Sequence, residues 1–309
     1  MVVPECLSLT DNYEETCELL TALPNLVFKE KMKVFLHFSK LRVLEPMATL
    51  LLTGEIYRCH HVLQDFRFKG INGNYPTDPN TFKQLDDFGF YSLLNIPSPP
   101  PAATGSGSTH FIRYFSHNKV LAEKASILLG SIISKAFDVE EASQRYLGSA
   151  LVEAMNNTVE HAYKKRPSLP VMPKRWWFGG AVDSVNKEFN ILLHDQGIGI
   201  PETIEPSLLQ QARILMGSVF SGKDGAKIAL ATKLGESSTK QPGRGKGFET
   251  MKKAVRSCDD GELTVLSNSG IYRYNSQGIE THDDHTISIN GTILQWRVRH
   301  ASSMMRLEA

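Results

Sequence analysis

Residues 153–161 read Glu-Ala-Met-Asn-Asn-Thr-Val-Glu-His, within a stretch predicted to form a long helix. Glu153, Asn157 and His161 recur every four positions, so they share one face of that helix. A carboxylate beside a carboxamide can hold hydrated Mg²⁺ and orient a water molecule, because Mg²⁺ prefers oxygen ligands. Glutamate and asparagine are also ordinary on exposed helices, so this stripe alone does not indicate a function.

A second motif follows the apolar stretch at 189–193, where residues 194–201 read His-Asp-Gln-Gly-Ile-Gly-Ile-Pro. Asp195 ends the predicted strand, and Gly197 and Gly199 permit a tight turn that lets a ligand approach the backbone. A carboxylate here can accept a hydrogen bond from an exocyclic amine such as that of adenine. Calcium loops share part of this pattern, but their remaining ligand positions are missing.

The third motif is a glycine-rich loop before a predicted helix, with Gly243, Gly245 and Gly247 at alternate positions. Such glycines leave backbone N–H groups free to surround phosphate oxygens, and the helix N-terminus adds partial positive charge. Arg244 and Lys246 lie between the glycines and can reach phosphates. The spacing differs from a Walker loop, and a Rossmann loop would follow a strand.

The fourth motif is Gly291-Thr292, which leads into the predicted strand ILQWRV and offers a hydroxyl near a bound base. On its own it is a common strand start. Taken together and in this order, the four motifs resemble the GHKL ATPase superfamily over roughly residues 110–300. That superfamily includes histidine kinases, anti-sigma serine kinases, type II topoisomerases, mismatch-repair proteins and heat-shock chaperones.

The resemblance implies a role for each matching residue, with ATP and Mg²⁺ as the bound groups. Glu153 would polarise the attacking water or hydroxyl, Asn157 would bind Mg²⁺, and Asp195 would read adenine. Residues 200–242 would form a mobile ATP lid with a helical piece at 206–220. The residues implied to shape the phosphate loops or contact the nucleotide are Gly197, Gly199, Gly243, Arg244, Gly245, Lys246, Gly247 and Thr292.

His161 matches a position common in the anti-sigma kinase branch, where the pattern runs ExxxNxxxH. A packed, hydrogen-bonded histidine is the alternative interpretation of this residue.

We predict an α/β protein whose C-terminal part is a two-layer α/β sandwich of Bergerat type, with a mixed, mostly antiparallel sheet. A capping box formed by Asp138 and Glu141 is predicted to start the long helix, which runs to about Lys165. A hairpin turn joins the strands on either side of residues 183–187. The other predicted elements are a helix at 118–136, an irregular segment at 197–242, a helix after Gly247, and strands at 176–182, 189–194, 263–266, 271–274 and 292–298.

The Pro/Gly/Ser-rich stretch around residues 98–109 is predicted to link two domains, at 1–97 and 110–309. In the N-terminal domain we predict strands at 33–38 and 66–71, and helices that begin at Pro46 and Pro79. This order resembles a STAS domain, as in anti-sigma-factor antagonists. The STAS phosphorylation turn carries a serine, whereas residues 42–49 here read Arg-Val-Leu-Glu-Pro-Met-Ala-Thr.

The composition of the chain indicates which binding partners and which cellular compartment to expect. Lys and Arg number 34 against 33 Asp and Glu, a net charge of +1, so neither nucleic acid nor an anionic membrane is expected as a partner. The four cysteines lack zinc-site spacing and are expected to be reduced thiols. With an acidic N-terminus and no apolar run of 18 residues, we expect a soluble, cytoplasmic protein.

Three functions fit these residues. The first is an ATPase switch, in which nucleotide binding and slow hydrolysis change what the N-terminal domain contacts. The second is a serine/threonine kinase of anti-sigma type that acts on a separate protein, and the third is a nucleotide-dependent binding module without turnover. We expect a protein partner at the N-terminal domain, and self-association into a homodimer is left open.

Overall fold

The computed structural model describes residues 1–62, 71–94, 96, 107–165, 167, 169–216, 220–234 and 246–300. Within them the chain is a mixed α/β protein whose largest element is a seven-stranded antiparallel sheet. None of the helices in these ranges is both long and apolar enough to cross a membrane.

Among the described residues, the N-terminal segment contains three α-helices and two small parallel sheets. Strand β1 pairs with β3, and β2 pairs with β4. The elements are β1 (Cys6–Leu7), α1 (Tyr13–Pro24), β2 (Val34–Leu36), β3 (Val43–Leu44), α2 (Pro46–Val62), β4 (Ile71–Gly73) and α3 (Pro79–Phe88).

Both predicted N-terminal helices begin at their proline, as expected. Asp78 caps α3, because its carboxylate accepts hydrogen bonds from the N–H groups of Asn80 and Thr81. Helix α3 ends at Phe88, because Gly89 adopts the left-handed conformation with φ of 82°. The predicted strand at 66–71 falls mostly outside the described residues, and β4 begins at Ile71.

The C-terminal part supplies the seven-stranded sheet and six further helices among the described residues. Every strand pair in this sheet is antiparallel, so the expectation of a mixed sheet is wrong. The strand order is β10-β9-β8-β11-β7-β6-β5. The elements are β5 (Thr109–His117), α4 (Ala122–Ile133), α5 (Glu141–Asn157), β6 (Trp176–Asp183), β7 (Glu188–Asp195), α6 (Ile200–Thr203), α7 (Pro206–Met216), α8 (Asp224–Leu234), α9 (Lys246–Arg256), β8 (Asp260–Ser267), β9 (Gly270–Asn275), β10 (Glu280–Asp284) and β11 (Thr292–Arg299).

Helix α5 differs from the prediction at both ends. Glu140 occupies the N-cap position and no side chain caps the helix, so the predicted capping box of Asp138 and Glu141 is wrong. After Asn157 the chain continues as a wider π-helical turn, Thr158–Ala162, instead of an α-helix to Lys165. The carbonyl of Ala162 accepts a hydrogen bond from the turn after β7, which holds this altered end in place.

Helices cover the large sheet on both faces. Helices α4, α5 and α9 share one apolar core with it, which includes Leu151, Ile191 and Met251. The N-terminal helices share a second core with its opposite face, where Leu50 packs in one cluster with Trp177. The sheet of the C-terminal part therefore has its own helices on one face and the N-terminal segment on the other.

The domain division at residues 98–109 stays a prediction, because residues 97–106 lie outside the described ranges. The N-terminal segment and the sheet nevertheless form a continuous apolar core on the face where α2 packs.

Candidate functional site

Four segments that are far apart in sequence line one cavity of about 470 Å³. They are the end of α5, the turn after β7, the first turn of α9, and the start of β11, and residues from α6, α7 and α8 complete the lining. The predicted site residues that line this cavity are Glu153, Asn157, Asp195, Gly199, Gly247 and Thr292.

The remaining predicted site residues fall into two groups. Gly243, Arg244 and Gly245 lie outside the described residues, and Lys246 is the first residue of α9. Gly197 lies on the other side of its turn, where it borders a separate cavity of about 430 Å³.

The stripe on α5 faces the first turn of α9. A β-carbon on Gly247 would lie 3.3 Å from Glu153 Oε2 and 3.4 Å from Asn157 Nδ2. Glycine at this position therefore lets the α9 backbone approach the carboxylate and the carboxamide closely. The last glycine of the third motif and the two polar residues of the first are thus direct neighbours.

Asp195 is the most deeply buried acid of the cavity, with 6% of its surface exposed. Its Oδ1 accepts a 2.9 Å hydrogen bond from the Gly197 N–H, and its Oδ2 accepts a 3.4 Å bond from the Thr158 hydroxyl. Burial raises the pKa of Asp195 to about 7, although these two donors lower it. Two oxygens with about four acceptor positions retain capacity for a further donor.

The glycines of the turn after β7 are required by close packing. A β-carbon on Gly197 would overlap the main-chain oxygen of Ala162, and Gly199 has φ of 82°. The N–H of Ile198 donates a 2.9 Å bond to the Ala162 carbonyl, and Asn268 Nδ2 donates a 3.0 Å bond to the Ile198 carbonyl. The turn that carries Asp195 is therefore held on two sides.

Thr292 stands beside Asp195 at the start of β11. The two residues are register partners across β11 and β7. The Thr292 hydroxyl lies 2.8 Å from Ser267 Oγ, which also accepts a 2.8 Å bond from the Ile200 N–H. A β-carbon on Gly291 would overlap the Asp195 carbonyl, which explains the glycine before the threonine.

The predicted lid at 200–242 is largely helical where it is described. Thr203, Ile204, Leu208 and Ala231 line the cavity from this segment. The predicted helical piece corresponds to α7, whereas α8 falls in a stretch that we expected to be irregular.

Helix α8 is anchored to the sheet at its first turn. The Ser269 hydroxyl donates a 2.8 Å bond to Asp224, and the Gly225 N–H donates a 3.0 Å bond to Asp284. The first turn of α8 is therefore fixed to the turn between β8 and β9 and to the end of β10.

His161 lies at the margin of the cavity with its side chain 41% exposed. Its Nε2 lies 3.9 Å from the Glu160 carboxylate. His161 is therefore a partly exposed histidine beside the cavity, and its role stays a prediction.

Acidic groups outnumber basic groups among the described lining residues. Four acidic residues line the cavity, namely Glu153, Glu160, Asp195 and Glu205. Among the described lining residues, Lys164 is the one lysine or arginine, and His161 is titratable. A polyanionic ligand therefore requires positive charge from a metal ion or from basic residues such as Arg244 and Lys246.

Sequence reasoning missed two residues that shape this site. Thr158 supports the Asp195 carboxylate, and Ser267 supports both Thr292 and the turn. Position next to Asn157 is a weak signal for Thr158, and nothing near Ser267 in the sequence marks it.

Comparison with protein-family models found none that matches the chain, and comparison with curated proteins found no similar one. The geometry of the cavity is therefore the basis for assigning a function.

Proposed function

We propose that this protein binds ATP with Mg²⁺ in a pocket of Bergerat type and acts as an ATPase switch of the GHKL kind. The observation that carries the proposal is that the residues of four separate motifs line a single cavity. Their pairing gives a second argument, because Gly247 adjoins Glu153 and Asn157 while Thr292 adjoins Asp195.

Asp195 is proposed to read the adenine base. It is buried, and its described donors are the Gly197 N–H and the Thr158 hydroxyl, so it has capacity to accept from an exocyclic amine. A purine with a carbonyl at that position, such as guanine, presents an acceptor to this carboxylate and should be rejected.

Asn157 and Glu153 are proposed to serve the phosphate end. Their amide and carboxylate oxygens are suitable for Mg²⁺ and its waters, and they lie beside the backbone of the first turn of α9. Mg²⁺ bound with the nucleotide would neutralise phosphate charge, which this acidic lining needs. The first turn of α9 also borders the cavity, and a helix N-terminus favours anions such as phosphate.

Glu153 is proposed as the group that orients and deprotonates the attacking water. It lines the cavity next to Asn157, so a water between them would be held by two polar side chains. The packing of α2 against β7, the strand that ends in Asp195, supports a switch whose output runs through the N-terminal segment.

Calorimetry with ATP and Mg²⁺ tests the proposal. We expect one site per chain, selectivity for ATP over GTP, and at least tenfold weaker binding for Asp195→Asn, which corresponds to about 1.4 kcal/mol. Absence of ATP binding to the wild-type protein, or unchanged affinity in the variant, would contradict the adenine assignment. Gln295→Met, on β11 away from the cavity, is the control and should bind as the wild type does.

A further inference from the structure

Gln196 connects the proposed nucleotide pocket to the N-terminal layer. It directly follows Asp195, but its side chain lies on the other side of the turn, where Nε2 donates a 3.0 Å hydrogen bond to Glu55 Oε1. Both residues are almost fully buried, with 1% and 5% of their surfaces exposed. Glu55 belongs to α2, so this bond joins two elements that are 141 positions apart.

The acceptor is itself fixed. The other oxygen of Glu55 pairs with the Arg58 guanidinium one turn further along α2, and Arg58 is also buried. A buried ion pair has a defined geometry, because each charge depends on the other for stabilisation. Gln196 therefore bonds to a rigid group of α2 and not to a mobile surface carboxylate.

The backbone of Gln196 is held from the α5 side. Its N–H donates a 3.2 Å bond to the Tyr163 hydroxyl, which donates a 2.8 Å bond to the Arg175 carbonyl. Tyr163 directly follows the π-helical turn after α5. Gln196 thus bridges the end of the helix that carries Glu153 and Asn157 to α2 on the opposite face of the sheet.

Helix α2 also rests directly on β7 one residue before Asp195. A β-carbon on Gly54 would lie 3.0 Å from His194 Cδ2 and 3.1 Å from its Nε2. His194 Nδ1 is in turn 2.9 Å from the Thr292 carbonyl. A displacement of α2 would therefore move His194 and, through it, the neighbouring Asp195 and Thr292, which are proposed to surround the base.

We propose that α2 sets the position of the Asp195 carboxylate through Gln196, so that the N-terminal layer and the nucleotide pocket are energetically coupled. Gln196 is a positioning residue that acts through Asp195. This inference rests on the proposed function, because the coupled ligand is ATP. Coupling is reciprocal. If a molecule that binds at α2 changes the affinity for ATP by some factor, ATP changes the affinity for that molecule by the same factor.

The polar contact between the layers is incompletely satisfied, which suits a switch. Gln196 Oε1, Thr53 Oγ1 and Arg58 Nε are buried without a hydrogen-bond partner among the described residues. Unsatisfied buried groups are unfavourable, and they offer partners for a second arrangement of α2.

The first test measures hydrogen exchange of the wild-type protein with and without ATP and Mg²⁺. Helix α3 is the internal reference, since it lies in the same layer but packs on β5. We expect ATP to slow exchange in α2 more than in α3. Equal effects on both helices, with the cavity residues protected, would overturn the coupling while leaving ATP binding intact.

The second test compares Gln196→Met with Gln295→Met. Both remove a side-chain donor: Gln196→Met breaks the buried bond to Glu55, and the control breaks only the part-buried 2.7 Å bond from Gln295 Nε2 to Asn190 Oδ1. We expect about tenfold weaker ATP binding in Gln196→Met, as for the loss of one buried hydrogen bond, together with loss of the ATP effect on α2. Wild-type affinity in Gln196→Met would overturn the proposal, whereas a wild-type protein that binds no ATP would overturn the proposed function instead.

Discussion

Gly197 lies so close to Ala162 that a β-carbon on the glycine would overlap the main-chain oxygen of the alanine. The turn after β7 is thereby locked against the π-helical end of α5, with the Ile198 N–H bonded to the same oxygen. Since Asp195 stands at the start of this turn, its orientation depends on a contact that only glycine permits.

Gly197→Ala is expected to displace the turn and with it Asp195. We predict at least tenfold weaker ATP binding and a loss of about 1–3 kcal/mol in the free energy of unfolding, as for overpacking of a tight contact. Calorimetry and urea unfolding measure the two effects. The control is Gly130→Ala on α4, where a β-carbon would meet nothing within 4 Å. That change should leave binding unaltered and raise stability by up to about 1 kcal/mol, and equal behaviour of the two variants would refute the steric argument.

Asp195→Asn should stabilise the unliganded protein at alkaline pH while it weakens ATP binding. Burial raises the pKa of Asp195 to about 7, so between about pH 4 and pH 7 the folded chain keeps a proton that the unfolded chain releases. This group therefore lowers stability as pH rises through that window, and asparagine removes the effect. We predict that the unfolding temperature of the variant rises relative to that of the wild type between pH 5 and pH 8. A constant difference between the two proteins would show that Asp195 is not the titrating group.

ATP affinity should rise with pH in the same range. An exocyclic amine donates to the ionised carboxylate, and Asp195, with a pKa of about 7, is mostly protonated at pH 6. The ionised fraction rises about tenfold from pH 6 to pH 8, so the association constant should rise by about that factor. Calorimetry at several pH values measures it, and Asp195→Asn should give a flatter profile. A pH-independent wild-type affinity would contradict the role of the carboxylate.

Glu153→Gln should remove turnover and keep binding. The amide preserves the size and polarity of the side chain next to Gly247 but cannot accept a proton from water. We predict a fall of at least a hundredfold in phosphate release, with ATP affinity within about threefold of wild type. Labelled γ-phosphate on an added partner protein would favour the kinase alternative. Loss of binding in this variant would mean that Glu153 holds the site together instead of acting on water.

The sequence predicted the cavity well where short-range patterns decide the geometry. Residues four apart on α5 share one face, and a glycine pair after an apolar strand makes a turn, so the local placement of Glu153, Asn157 and Asp195 was predicted from spacing. The roles proposed for these residues came from the resemblance of the four motifs taken together. A helix after Gly247 was also predicted, and α9 begins at Lys246.

Long-range contacts account for what the sequence could not predict. The bond from Gln196 to Glu55 joins residues 141 positions apart, and nothing near either one indicates the other. The π-helical turn exists because Ala162 meets the turn after β7, a contact that helix propensity does not contain. Strand β5 lacks clear alternation of buried and exposed residues, and its pairing with β6 is shifted between Ile112 and Phe115. The sequence pattern therefore did not predict this strand.

The outer strand β10 has a consequence for self-association. Among the described strands it pairs only with β9, and three of its five residues are acidic, namely Glu280, Asp283 and Asp284. An exposed strand edge invites the addition of a strand from another molecule, and charge on the edge opposes this. Glu280 is paired with Lys252, but two copies meeting at β10 would bring the carboxylates of Asp283 and Asp284 together, so this edge resists the strand-by-strand growth that leads to fibres.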